Sequence, residues 1–212
     1  MEIYNSEQDQ VEALKAWWDK HGRTVIAAIV VVLLSVLGWK SWQGHQEQRA
    51  ESAAVAYQQM MDAIAVAPEQ AMEAGRGIVG EYPGTTYATM ASLTMGRLAV
   101  EQGELEAAAA HLRAAAGQAR QQELKLLAQL RLSRVLMAQG RPDEALTQLQ
   151  GVEAGSLQAA FDEQRGDILL AQGDRAGARD AYTNAMAGFA EIPAKQELVQ
   201  LKLNDLAESK GE

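Results

Sequence analysis

Few residues in this chain have the types and spacing that chemistry needs. Gly75, Gly77 and Gly80 form a G-x-G-x-x-G pattern, the spacing that lets a backbone approach a pyrophosphate when a strand precedes it and a helix follows. Here the pattern follows the run Ala71-Met72-Glu73-Ala74 and leads to Tyr82-Pro83-Gly84. The expected role is close packing between helices. The histidines are His21, His45 and His111, and there is no cysteine. No two histidines share helical ligand spacing, so metal binding and thiol chemistry lack their parts. Asp143 and Glu144 follow Pro142, where a helix start and its dipole account for paired acids. The chain therefore reads as a non-enzyme, with no catalytic residue, no cofactor and no metal.

Charge narrows the partners. Lys and Arg total 19 against 28 Asp and Glu, a net charge of −9 over 212 residues. Residues 1–43 hold four and five of these, which leaves fifteen and twenty-three for residues 44–212, a net −8. A surface of that sign repels phosphate backbones, so no nucleic acid is expected, and nothing marks a small-molecule substrate site.

The elements begin with residues 24–39, TVIAAIVVVLLSVLGW, sixteen residues without a charge between Arg23 and Lys40. As helix this run rises about 24 Å, and the flanking cations extend it by snorkelling. All four tryptophans are at its ends, Trp17, Trp18, Trp39 and Trp42. Trp18 and Trp39 stand about 32 Å apart on a helix, matching the two headgroup layers. Trp18, Arg23, Trp39, Lys40 and Trp42 are thus expected to fix the segment in a membrane. Five acids precede the run, and its exit through Leu37-Gly38-Trp39 has no small-x-small cleavage site, so a retained anchor is expected rather than a cleaved leader. Lys15, Lys20 and Arg23 before the run outnumber Lys40 and Arg49 after it. By the positive-inside rule the N-terminus faces the cytoplasm. The expected layout is a cytoplasmic tail at 1–23, a transmembrane anchor at 24–43 and a periplasmic domain at 44–212, in the inner (plasma) membrane of a double-membraned bacterium.

From Ala53 onward the texture is rich in Ala, Leu and Gln, with helical periodicity and no strand signal. Three segments align on a Gln-Gly pair: 99–112, 136–149 and 169–182. Their glycines are Gly103, Gly140 and Gly173. Seven residues earlier stand Gly96, Ser133 and Gly166; five later, Ala108, Ala145 and Ala178; nine later, Leu112, Leu149 and Tyr182. Each unit reads as a helical hairpin. The central glycine turns the chain, the small residues let the helices approach, and the large residue is expected to fill the gap to the next hairpin. Residues 53–84 read as a leading hairpin, and 194–207 as an amphipathic closing helix.

This ladder resembles tetratricopeptide repeats, in degenerate form: Ser92, Gln129 and Asp162 stand at the family's Trp-like position. The fold class expected is all-α, a single N-terminal transmembrane helix followed by a degenerate tetratricopeptide-repeat-like solenoid of hairpins with a C-terminal cap helix. In such repeats the first helix of each hairpin lines a concave face. The resemblance puts Met90, Leu93, Arg97 and Val100 there, then Leu127, Leu130, Arg134 and Met137, then Ala160, Glu163, Asp167 and Leu170. With only two arginines among these, a carboxylate clamp is not expected. Met90, Leu93, Arg97, Leu127, Leu130, Arg134 and Met137 are the expected partner-binding groove, making adaptable apolar contact. The other reading is that some of them are core.

Tail, anchor, degenerate repeats and the closing LVQLKLNDLA segment together resemble the YfgM family. The resemblance implies an ancillary subunit of the SecYEG translocon, partnered with the membrane-anchored periplasmic chaperone PpiD and acting in a chaperone-like way on exported client proteins. Two alternatives share the same features: a repeat scaffold of another envelope assembly machine, and a membrane-anchored regulator.

Overall fold

The structure, a computed structural model, describes residues 3–208. Contacts divide the chain into two compact units, the first ending at Arg49 and the second beginning at Ala50.

The first unit consists of most of helix α1 (Ile3–Ala63). Its apolar run is open on all sides: Leu34 is 63% exposed and Trp39 67%. A helix that is apolar all round and uncovered by its own chain is long and apolar enough to cross a membrane. The tryptophans at its ends are likewise exposed. The Trp17 ring stacks on His21 at 5.4 Å, and the rings of Trp39 and Trp42 lie 5.6 Å apart. Lys40 and Arg23 are exposed beside them.

The second unit consists of helices joined by short turns, with no strand among its described residues. It takes the end of α1, then α2 (Pro68–Glu81), α3 (Thr86–Glu101), α4 (Leu105–Gln118), α5 (Gln122–Ala138), α6 (Pro142–Thr147), a short 3-10 turn at Gly155–Leu157, α7 (Gln158–Ala171), α8 (Arg175–Gly188) and α9 (Pro193–Glu208). Three hairpins follow in series: α3 with α4, α5 with α6, and α7 with α8.

The three Gln-Gly pairs end α3, α5 and α7 in the same way. Gly103, Gly140 and Gly173 have φ of 79°, 72° and 83°. In each, the residue after glycine donates to the carbonyl five residues back: Glu104 to Ala99 at 2.8 Å, Arg141 to Leu136 at 2.9 Å and Asp174 to Leu169 at 2.9 Å. The glycines themselves donate to Val100, Met137 and Leu170. This is the Schellman arrangement, which needs a left-handed residue and so selects glycine.

Within the hairpins the small and large residues of the ladder meet each other. A Cβ on Gly96 would come within 2.8 Å of Leu112 Cγ, and one on Gly166 would overlap the Tyr182 ring. In these two hairpins the large residue fills the space inside its own hairpin, which the expectation had not placed there; Leu112 also lines the surface shared with α5 of the next hairpin, as expected. Ala108, Ala145 and Ala178 are fully buried at the same crossings.

The second hairpin departs from the pattern. α6 is only six residues long. Beyond it, Leu149 donates to Leu146 and Gln150 to Thr147, three residues back rather than four. This tightening keeps Leu149 fully buried although the α-helix has ended. Of the glycine-rich pattern on α2, only Gly75 packs closely, against Met95 and Met60; nothing lies within 4 Å of a Cβ on Gly77 or Gly80.

Candidate partner-binding groove

The groove residues expected from the repeats lie on α3 and α5, which the Schellman turns and the α4 crossing hold side by side. They separate into three kinds. Leu93 and Leu130 are each 4% exposed and belong to the central core with Leu112, Leu136 and Phe161. This corrects the expectation for both. Both are in one buried cluster with Ala108, Ala109 and Ala128 as well as the larger side chains. Met90, Leu127 and Met137 are half-buried, and the last two rest on the edge of the same core. Arg97 and Arg134 are exposed.

Between α3 and α5 the surface sinks into a depression of about 370 Å³. Val100, Leu105, Leu112 and Val135 form its apolar lining, and Arg97, Arg131 and Arg134 stand around it. Arg97 is bound to Glu101 at 2.6 Å. Arg134 donates from Nε to Gln164 Oε1 at 3.3 Å. Arg131 is half-buried and makes no hydrogen bond or ion pair with any described residue. Burial first, and then the charges of Arg134 and Arg97, push its guanidinium below the ordinary value, with Tyr57 acting weakly in the other direction. Arg131 was missed in the sequence, although Arg131 and Arg134 share an i,i+3 face.

The corresponding face of α7 is occupied. Lys202 of α9 donates from Nζ to Glu163 Oε1 at 2.9 Å and to Asp167 Oδ1 at 2.7 Å, and the Tyr182 hydroxyl donates to Asp167 at 2.7 Å. Lys202 also lies over the Tyr182 ring. Burial works to lower the Lys202 pKa, but the hydrogen bonds to Asp167 and Glu163 outweigh it and hold the value up. Burial and the bond to Asp167 raise that of Tyr182.

Residues 15–208 match the family described as Tetratricopeptide repeat-like domain. The ancillary SecYEG translocon subunit of Escherichia coli (strain K12) is 33% identical over 207 residues, covering 98% of this chain and 100% of that protein. The chain belongs to the YfgM family. Two further proteins with the same description agree: that of Haemophilus influenzae is 31% identical over 201 residues, covering 94% of this chain and 97% of its own length. That of Neisseria gonorrhoeae is 26% identical over 208 residues, covering 97% and 100%.

As a YfgM-family chain it combines one helix able to cross a membrane with a tetratricopeptide-repeat-like domain. This fits an inner-membrane protein. Among the described residues no group of His, Asp and Glu is placed to hold a metal ion. What the groove offers is contact area: half-buried Met and Leu side chains beside an arginine-rimmed apolar depression.

Proposed function

We propose that the protein is a non-enzymatic scaffold of the Sec translocon, holding partner proteins and exported chains beside the membrane. The observation that carries this is the full-length relation to proteins named ancillary SecYEG translocon subunits, which supports a Sec translocon association. The repeat domain stands on the periplasmic side, with a tail at 1–23 in the cytoplasm. It engages a PpiD-type chaperone and exported clients in a chaperone-like way. The basic residues Lys15, Lys20 and Arg23 before the apolar run support that orientation. Half-buried Met90, Leu127 and Met137, with Arg97 and Arg134, form the contact surface. Anchoring raises the local concentration of the domain at the translocon, so weak contacts suffice.

The test is a photo-reactive residue placed in turn at Met90, Leu127, Met137 and Trp39 in intact membranes. Adducts to a PpiD-type chaperone or to a chain in export are expected from the first three. If adducts form only at Trp39, the partner contact belongs to the anchor and the groove assignment is lost. A reporter active only in the periplasm, fused after Glu212, is expected to be active; activity of a cytoplasm-only reporter instead would reverse the topology.

A further inference from the structure

We propose that the depression between α3 and α5 recognises an acidic peptide segment, with Arg97, Arg131 and Arg134 receiving its carboxylates and the apolar lining receiving the side chains between them. This rests on the groove reading above and names the chemistry of its occupant.

Three features of the depression lead there. First, Arg131 is a half-buried cation without a hydrogen bond or ion pair among the described residues. A desolvated charge without a partner is costly, and the costs are compounded here by two neighbouring cations. An arriving carboxylate relieves both, since a guanidinium fork takes one through two parallel bonds. Second, the cluster has the opposite sign to its domain. Residues 44–212 carry a net −8, so three arginines around one depression form a local reversal of the field that draws acidic groups to this point. Third, the lining between the arginines is apolar: Val100 is 43% exposed and Leu105 half-buried, with the buried Val135 and Leu112 completing it. A bare phosphate or a lipid headgroup has nothing to place against these side chains. A segment in which Asp or Glu alternates with Leu, Val or Met fits both features.

The arginines also differ in readiness. Arg97 is held by Glu101 and must leave it to bind a ligand. Arg134 is bound only to a neutral amide. Arg131 has nothing to exchange, so it and Arg134 are expected to dominate.

The experiment uses the full-length chain in nanodiscs of phosphatidylcholine. The probe is a short fluorescent peptide alternating glutamate and leucine, blocked at both ends; the control replaces each glutamate by glutamine. Anisotropy is expected to show binding of the glutamate peptide about tenfold or more tighter than the control, weakening as salt is added. The double variant Arg131→Gln/Arg134→Gln should lose that preference while its circular-dichroism melt stays that of the parent. Arg131→Lys, which keeps the charge but not the fork, should retain part of it. Equal binding of the two peptides overturns the proposal, and this comparison does not depend on any variant folding. Glutamate preference that survives the double variant also overturns it. Displacement of the peptide by inorganic phosphate at equal concentration makes the depression a simple anion site. Displacement of the peptide from the phosphatidylcholine nanodiscs by a water-soluble short-chain phosphatidylglycerol, and not by inorganic phosphate, makes lipid headgroups the occupant. If the peptides fail to distinguish themselves while cross-links still form from Met90, Leu127 and Met137, the groove reading stands and only the acidic recognition falls.

Discussion

Gly166 and Tyr182 show how closely single residues set the geometry of a hairpin. The Tyr182 ring occupies the space a side chain on Gly166 would need, and its hydroxyl is fixed to Asp167, so it cannot swing away without losing that bond. Gly166→Ala is expected to cost about 1–3 kcal/mol. Gly96→Ala should cost less, because Leu112 is a flexible chain without a polar tether. Gly77→Ala, in open space on α2, should instead stabilise by about 0.5–1 kcal/mol through helix propensity. Chemical denaturation of the three variants checks the order, and a Gly166→Ala protein as stable as its parent would remove the packing account. His111 gives a pH signature. Burial first, and then the charge of Arg76, lower its pKa from 6.5. The unfolded chain therefore takes up the proton more readily, and stability is lost as pH falls from that value toward the folded one. Melting followed from about pH 7.5 to about pH 5 should fall less steeply in His111→Gln than in the parent.

At the scale of elements, α9 and the paired helices α3 and α5 make separate claims. α9 is attached to α7 by Lys202, whose partner Glu163 is 5% exposed. Lys202→Met takes the short ion pairs from both Glu163 and Asp167 and leaves only Lys195, 3.9 Å from Glu163, and should cost about 3 kcal/mol. Because the folded pKa of Lys202 is raised, its contribution is complete below the unfolded value of 10.5 and is lost only as pH rises through the folded one. The difference between Lys202→Met and the parent should thus be constant from about pH 6 to about pH 9 and shrink in strong alkali. A difference that vanished by neutral pH would exclude the ion-pair account. For α3 and α5, Leu93→Glu/Leu130→Glu puts two charges into the core. Loss of the cooperative melt is expected, rather than a folded protein that has lost a partner. A folded double variant would return both residues to the open groove.

At the scale of the molecule, the four tryptophans stand at 17, 18, 39 and 42, all in the first unit. Unfolding of the repeat domain should therefore leave tryptophan emission nearly unchanged while the helical circular-dichroism signal falls. With the chain in bilayers, quenchers attached near the lipid headgroups should dim that emission more than quenchers deep in the acyl chains. A large emission change on domain unfolding, or stronger quenching from the bilayer centre, would remove the headgroup placement of Trp18, Trp39 and Trp42.

The sequence by itself determined what depends on runs and local backbone. An uncharged run flanked by cations and tryptophans makes a helix that water cannot cover. A glycine after each Gln supplies the left-handed residue that closes α3, α5 and α7. Small residues at a constant distance before these turns mark where paired helices touch. Each of these is set by a few neighbours in the chain, so each is legible there. Only the tertiary structure decided which way a side chain on α3 or α5 points. Met90 and Leu127, thirteen residues before their turn glycines, and Leu93 and Leu130, ten before theirs, were all expected on the groove face, yet the first two are half-buried and the second two are core, because rotation of a helix by a fraction of a turn depends on what packs behind it. The same holds for the arginines. Arg97 and Arg134 are separated by 37 residues, and only the packing of α3 against α5 around Leu112 gathers them with Arg131 about one depression.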